Sequence, residues 1–149
     1  MIIPGGPMLT KDQLIKITLA TFEGERNHSV TDNLKVMDEE FAVTDMIMTT
    51  KGNFPRLSGE KLRSYMKEAF KINGRHFIFQ TVLADTITQT VIVEFIESYP
   101  DSKTKKIFRT PQVAICQFKN GRLYRTRHYM DPRLSFEYLE MLEIKNAMS

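Results

Sequence analysis

The sequence predicts an α+β fold in which a cone-shaped, curved sheet, mixed or antiparallel, wraps three N-terminal helices. Two observations lead to this prediction. Apolar residues recur at helical spacing over most of residues 10–73, whereas apolar and polar residues alternate along residues 75–130. Helices segregated from a run of sequential strands are typical of α+β domains. A strongly bent sheet on such helices would enclose an apolar cavity.

Length and composition indicate one ordinary globular domain. The chain has 149 residues, of which 42% are hydrophobic and 26% charged, with a net charge of +3. We expect a single domain over residues 1–149, with residues 1–9 as a flexible arm rich in Pro and Gly. No apolar run is long enough to span a membrane, and the start does not resemble a secretory signal. A single cysteine fits a reducing compartment, so the expected location is cytoplasmic, with no membrane partner.

Three helices are expected from their capping residues. Thr10 and Gln13 form a capping box for a helix that should run to about Arg26. A shorter helix should begin at Thr31. Ser58 is placed to cap the third helix, which should end at Asn73–Gly74. The apolar face of the third helix is Leu62, Tyr65, Met66, Ala69 and Phe70.

Five strands are expected, one of them between the second and third helices. This isolated strand is FAVTDMIMTT at residues 41–50. The other four strands are the runs HFIFQTVLAD, TQTVIVEFIES, KIFRTPQVAICQF and RLYRTRHYM. Asn120–Gly121 predicts a tight hairpin between the last two. Pro111 should mark an edge or a bulge, because proline cannot donate to a sheet ladder.

Alternation along the strands suggests which residues face the cavity. In the last strand, we expect the face without arginines to point inward, which places His128 in the cavity. The TVIVEFIES strand is apolar on both faces apart from Glu94, which favours a cavity on one side and a second subunit on the other. The predicted binding residues are Tyr124, Thr126, Met130, Ile92, Ile96, Val43, Tyr65 and Met66.

One ionisable residue interrupts an apolar face in each of three strands: Asp45, Glu94 and His128. Burial in an apolar cavity raises the pKa of a carboxyl group, and a carboxyl beside an imidazole can exchange protons near neutral pH. We therefore predict that Glu94 and His128 exchange protons with a substrate, while Asp45 positions the substrate or a water. The alternative is that Glu94 or Asp45 forms a salt bridge with an arginine at the rim.

Other candidate sites have weaker support in the sequence. Cys116 lacks an orienting partner for nucleophilic catalysis and is expected in the core. The three histidines have no metal-ligand spacing, so neither a metal nor another cofactor is expected. Basic residues concentrate on the later hairpins, where lysines discourage association of sheet edges. No aromatic-basic stacking pattern of the kind found in nucleic-acid binding proteins accompanies these charges, so nucleic acid is not an expected partner.

The segment GRLYRTRHYMDP resembles the final strand of SnoaL-like domains in the nuclear transport factor two-like superfamily. The resemblance rests on Gly121, Arg127, Tyr129 and Asp131–Pro132. It implies a cone of curved sheet with three N-terminal helices and a homodimer formed through the outer face of the sheet. Members of this superfamily include polyketide cyclases, ketosteroid isomerase, limonene epoxide hydrolase and the phenazine-biosynthesis A/B proteins.

Three positions carry over from this resemblance. His128 stands where several of these enzymes have an acidic residue after the arginine of the last strand. Glu94 matches an aspartate of the epoxide hydrolase, but Ile92 replaces the accompanying arginine, so epoxide hydrolysis is not expected. Asp45 falls near a polar residue that holds a water or substrate in some members.

The functional expectation is cofactor-independent acid–base chemistry, either isomerisation or cyclisation, in an enclosed pocket. The expected substrate is a small hydrophobic carbonyl or polycyclic compound. The alternative is a non-catalytic protein of the same fold that binds a small apolar ligand or serves as a dimeric scaffold.

Overall fold

A computed structural model describes residues 6–37, 43–47, 56–100 and 104–130, and within 43–47 it describes only the side chain of Thr44. The elements, in chain order, are α1 (Lys11–Arg26), α2 (Val30–Val36), β1 (Val43–Ile47), β2 (Arg56–Ser58), α3 (Gly59–Ala69), β3 (His76–Asp85), β4 (Thr90–Pro100), β5 (Ile107–Lys119) and β6 (Arg122–Met130). Helices and a sheet built from consecutive strands confirm the α+β prediction. None of the described helices is long and apolar enough to cross a membrane.

The strands form one open sheet in the order β2-β1-β6-β5-β4-β3. Strands β3 to β6 pair antiparallel with their neighbours in the chain, as predicted. Strand β1 pairs in parallel with β6, which makes the sheet mixed. The short strand β2 was not predicted; it pairs antiparallel with β1 and leads directly into α3.

Helix α1 begins and ends where the sequence predicts. The backbone N–H of Gln13 donates to the Thr10 hydroxyl at 3.3 Å, and the backbone N–H of Thr10 donates to the Gln13 side chain at 2.9 Å. This reciprocal capping box satisfies two of the N–H groups at the start of the helix. Leu14, Thr18 and Phe22 form its buried face. The helix is therefore fixed in rotation over the sheet.

The other two helices differ from the prediction at their ends. Ser29 caps α2, which starts one residue earlier than expected. Ser58 occupies the N-cap position of α3, but its side chain makes no capping hydrogen bond. Helix α3 ends at Ala69, short of the predicted Asn73–Gly74. Gly74, with φ of 72°, lies in the following turn instead.

An aromatic cluster joins α1 to the sheet. The Phe22 ring packs edge-on against Phe77, Phe79 and Phe95, with centroid distances of 5.3, 5.3 and 4.8 Å. Edge-to-face pairs of this kind stabilise a core beyond the area that they bury. The contact places Glu25, which lies three residues after Phe22, above the same end of strands β3 and β4.

The last hairpin and Pro111 agree with the sequence. Asn120 and Gly121 both have positive φ, 53° and 75°, as a two-residue hairpin turn of type I′ requires. Pro111 lies in β5 opposite Ile96 of β4. Pairing between β5 and β6 begins only at Gln112, so among the described residues Pro111 has a strand on one side alone.

The two N-cap residues provide a matched test of the capping box. We expect Thr10→Ala to lower the free energy of unfolding by about 1 kcal/mol, because the backbone N–H of Gln13 loses the hydroxyl that accepts its hydrogen bond. Ser58→Ala should change the free energy of unfolding much less, because the Ser58 side chain caps nothing. Chemical denaturation followed by circular dichroism measures both values. Equal losses in the two variants would contradict this assignment.

Candidate functional site

A cavity of about 100 Å³ lies between the helices and the inner face of the sheet. Most of its wall is apolar and aromatic. Polar residues of the wall include Glu25, Asn33, Thr44, Glu97, Thr110, Gln112, Thr126 and His128. The aromatic ones are Phe22, Tyr65, Phe70, Phe77, Phe95 and Tyr99.

Part of the predicted site lies in this wall. His128, Thr126 and Met130 of β6 line the cavity, together with Tyr65 and Met66 of α3. The inward face of β6 therefore carries a histidine and a hydroxyl group, next to a helix that contributes a phenol. These groups can hydrogen bond a ligand.

Tyr124 was expected in the cavity but does not line it. The register between β5 and β6 shifts after Gln117, so that Gln117 pairs with Arg125 while Phe118 pairs with Leu123. This bulge leaves Tyr124 without a cross-strand partner and changes the alternation. Leu123, which simple alternation would place outside with Arg125 and Arg127, is instead buried in the cavity wall.

The prediction of which face of β4 points into the cavity is wrong. Glu94 is exposed on the outer face of the sheet, where the Thr81 hydroxyl donates to its carboxylate at 2.8 Å. Ile92 and Ile96 lie on the same outer face, and Ile92 is 38% exposed. The buried face comprises Val91, Val93, Phe95, Glu97 and Tyr99. Glu94 and His128 therefore lie on opposite sides of the sheet and cannot exchange a proton within one cavity.

The predictions for Asp45 and Val43 concern side chains outside the described part of the chain. Thr44, which lies between them in β1, is buried and lines the cavity beside Thr126, its partner in the parallel pair. Strand β1 thus contributes a hydroxyl group to the wall.

A buried ionic cluster forms the acidic end of the cavity. Arg75 contacts two carboxylates: its Nη1 pairs with Glu25, and its Nε lies 3.0 Å from Glu97 Oε1. The Gln112 side chain donates to Glu97 Oε2 at 2.7 Å. The Arg75 side chain is fully enclosed, whereas Glu25 and Glu97 reach the cavity wall. We refer to Glu25, Arg75, Glu97 and Gln112 as the acidic cluster.

Glu25 has the chemistry of a proton carrier. Burial raises the pKa of its carboxyl group to about 7; the positive charge of Arg75 opposes this rise, and the negative charge of Glu97 adds to it. About a quarter of the side chain remains accessible. A carboxyl group that titrates near neutral pH can both accept and release a proton under physiological conditions.

His128 lies at the other end of the cavity. Burial lowers the pKa of its imidazole to about 4, so the ring is neutral above that pH. Along β5, Ala114 opposite His128 and Thr110 opposite Glu97 are four residues apart. With His128 and Glu97 on either side of β5, their Cα atoms are roughly 16 Å apart by ideal sheet spacings. A ligand, rather than direct contact, would have to connect the two ends.

Cys116 and the histidines offer no other reaction centre. Cys116 lines the cavity, but burial raises its thiol pKa to about 12, against a weaker opposing effect of Thr126. Such a thiol is protonated and unreactive at neutral pH. Among the residues that the structure describes, no three His, Cys, Asp or Glu side chains lie close enough together to hold a metal ion.

The sequence contained weak signals for the two acids that were missed. Glu97 continues the alternation of Val93 and Phe95, so a polar side chain interrupts an otherwise apolar inner face. Glu25 continues the helical stripe that includes Leu14 and Thr18. Both acids lie where the pattern calls for an apolar residue.

Comparison with known proteins identifies the fold. The sequence matches no protein-family model and no curated protein. Its structure is similar to BvnE pinacolase from Penicillium brevicompactum, with a TM-score of 0.73, 13% identity and coverage of 97% of both chains. It is also similar to a candidate isomerase from Bacillus subtilis, with a TM-score of 0.72, 20% identity and coverage of 87% of this chain and 94% of the other.

A candidate SnoaL-like polyketide cyclase from Jannaschia sp. CCS1 gives a TM-score of 0.66 at 13% identity, over 97% of this chain and 98% of the other. Identities this low establish the fold and no more. The architecture nevertheless agrees along nearly the whole chain. The protein therefore has a SnoaL-like, nuclear transport factor two-like fold.

Proposed function

We propose that this protein is a cofactor-independent enzyme that isomerises or cyclises a compact apolar carbonyl compound by acid–base catalysis. The observation that carries the proposal is Glu25, a carboxyl group with a pKa near 7 in the wall of an apolar cavity. Proteins of similar structure described as a pinacolase, an isomerase and a cyclase support a catalytic role. Glu25 replaces Glu94 as the proposed proton carrier.

In this proposal, Glu25 removes a proton from the carbon next to the carbonyl group and returns it at a second position. A base is most effective when its pKa lies near the working pH. The buried guanidinium of Arg75 holds the Glu25 carboxylate in place. Proton removal leaves negative charge on the carbonyl oxygen, which needs a hydrogen-bond donor of its own.

His128 is the proposed donor to that oxygen. Its ring is neutral because burial lowers its pKa to about 4, and a neutral imidazole carries one N–H. The hydroxyl groups of Thr44 and Thr126 lie in the same part of the wall. Fixed donors in a dry site stabilise developing negative charge more than water does.

The cavity favours a compact substrate over a polycyclic one. Its volume is about 100 Å³. A dry apolar cavity of roughly 150 Å³ in another protein holds benzene. We therefore propose a ligand of about one ring as the substrate class.

Replacement of Glu25 tests the proposed base. We expect the wild type to accelerate hydrogen–deuterium exchange beside the carbonyl of compact cyclic ketones, measured by proton NMR in heavy water. Only ionised Glu25 acts as a base, so the rate should rise as pH increases through about 7 and then level off. Glu25→Gln should lower the rate at least about 100-fold.

Glu23→Gln is the matched control for this experiment, because Glu23 lies on the same helix but is exposed and paired with Arg26. Its rate should equal that of the wild type. Full activity in Glu25→Gln, or a rate that does not change through pH 7, would contradict the role of Glu25. Ketone binding without exchange in the wild type would favour the non-catalytic ligand-binding alternative.

His128→Phe tests the proposed donor while keeping an aromatic ring. We expect the exchange rate to fall about 100-fold or more, because the developing oxyanion loses its donor. The pH at which the rate rises should stay near 7, because Glu25 is unchanged. His76→Phe, at an exposed position in β3, is the control and should retain full activity. A wild-type rate in His128→Phe would rule out the proposed donor role.

We further propose that a second copy of the chain covers the outer face of the sheet. Ile78, Leu83 and Ile92 are 51%, 59% and 38% exposed there. Glu94 and Arg127 lie on the same face, on strands either side of β5. Two such faces related by a two-fold axis can therefore match apolar surface and pair opposite charges.

Ile92→Lys should convert the proposed dimer to a monomer, because it would place two ammonium groups in the apolar interface. Ile87→Lys is the control, since Ile87 is 87% exposed in the turn between β3 and β4. Sedimentation velocity at micromolar concentration measures both. A monomeric wild type, or a dimeric Ile92→Lys variant, would contradict the proposed interface.

A further inference from the structure

We infer that the acidic cluster binds a protonated nitrogen, so that the ligand of this cavity is a compact organic cation. The inference rests on the proposed use of the cavity as a substrate site and adds the chemical class of the substrate. It follows from the charges in the wall, from a buried hydroxyl oxygen without a partner among the described residues, and from the aromatic rings around them.

The described wall of the cavity carries an excess of negative charge. Glu25 and Glu97 line the cavity, and Arg75 is the only cation among the described residues that pairs with both. Among the described wall residues there is no lysine or arginine, and His128 is neutral near pH 7. One guanidinium cannot neutralise two carboxylates. Within the part of the chain that the structure describes, only a proton on Glu25 or a cation in the cavity can balance the remaining charge.

Two buried side-chain oxygens, one of which lines the cavity beside Glu97, have no hydrogen-bond partner among the described residues. Thr110, 3% exposed, lies directly across from Glu97, and its hydroxyl oxygen has no hydrogen-bond partner among the described residues. Asn33, 7% exposed, donates to the Thr21 carbonyl, but its Oδ1 has no described partner. Asn33 Oδ1 packs against Gly24, whereas Thr110 lines the cavity. Buried polar atoms normally find partners, so the Thr110 oxygen favours a ligand that forms hydrogen bonds.

Aromatic rings in the cavity wall also favour a cationic ligand. Phe22, Phe77 and Phe95 pack together beside the acidic cluster, and Tyr65 and Tyr99 also line the cavity. The negatively charged face of an aromatic ring attracts a cation, and the attraction is stronger when water is excluded. Carboxylates and rings in one small cavity therefore both favour an ammonium group over a neutral ligand of the same size.

A bound ammonium is compatible with proton transfer by Glu25. The proton that Glu25 removes comes from the carbon next to the carbonyl group, so this carbon must lie between the nitrogen and the carbonyl group of the substrate. A substrate that carries a basic nitrogen at one end and a carbonyl at the other would fit both ends of the cavity. The nitrogen would bind at the acidic cluster, and the carbonyl oxygen would bind near His128.

Binding of the cation should depend on pH through Glu25. The groups that face Glu25 are Arg75, Glu97 and, across the cavity, His128. Arg75 stays charged at all these pH values, and His128 is neutral above about pH 4. Cation binding should therefore strengthen as pH rises through about 7, where Glu25 loses its proton.

Piperidine and tetrahydropyran provide the test, because both are saturated six-membered rings but only piperidine carries an ammonium group at neutral pH. Titration of each into the wild type, followed by amide chemical shifts in NMR, gives the two dissociation constants. We expect piperidinium to bind at least about tenfold more tightly above pH 7 and to lose this advantage well below pH 7. Glu25→Gln should abolish the preference, and Glu23→Gln should retain it.

Thr110→Val provides a second, nearly isosteric variant, which should weaken piperidinium binding and leave tetrahydropyran binding unchanged. Thermal melting checks that each variant is folded. Equal binding of the two rings, binding of neither ring at millimolar concentration, or an unchanged preference in folded Glu25→Gln would overturn the inference. Tight piperidinium binding without ketone exchange would instead refute only the proposed catalysis, which separates the two hypotheses.

Discussion

The structure around the cavity depends on one buried cation, Arg75. Its side chain is fully enclosed, and an enclosed guanidinium is tolerated only beside opposite charge and hydrogen-bond acceptors. Glu25 from α1 and Glu97 from β4 supply both, so the ion pairs tie the first helix to the middle of the sheet. The Phe22 cluster reinforces the same junction with apolar contacts. Acidic groups in the cavity wall are thus a structural consequence of burying Arg75.

This arrangement leaves the cluster with more negative charge than positive. Desolvation makes that excess costly, which is why the Glu25 carboxyl has a pKa of about 7. Gln112 donates to Glu97, so the two acids are not equivalent. Among the described residues, Glu97 has two partners, whereas Glu25 has only the guanidinium of Arg75. The group that is less well compensated is the one that titrates. The imbalance that limits the stability of the cluster therefore gives it reactivity.

The sequence predicted the α+β class, helix α1 and the Asn120–Gly121 hairpin because each depends on local patterns. It failed at β4, since TVIVEFIES is apolar on both faces and alternation alone cannot select the inner one. It failed at Tyr124, because a bulge changes the parity of the strand without a sequence signal strong enough to locate it. Arg75 has no local signal at all: its partner Glu25 is 50 residues away in the chain, and only the tertiary fold brings them together.

The position of His128 determines what the other end of the cavity can recognise. It lies two strands from Glu97, so the acidic cluster and the imidazole occupy opposite ends of one apolar space. The acidic end is rich in acceptors, because the carboxyl groups of Glu25 and Glu97 line it. The His128 end has an imidazole N–H and the hydroxyls of Thr44 and Thr126, all of which can donate. A ligand with a donor at one end and an acceptor at the other satisfies both ends, and its orientation in the cavity is then fixed by charge.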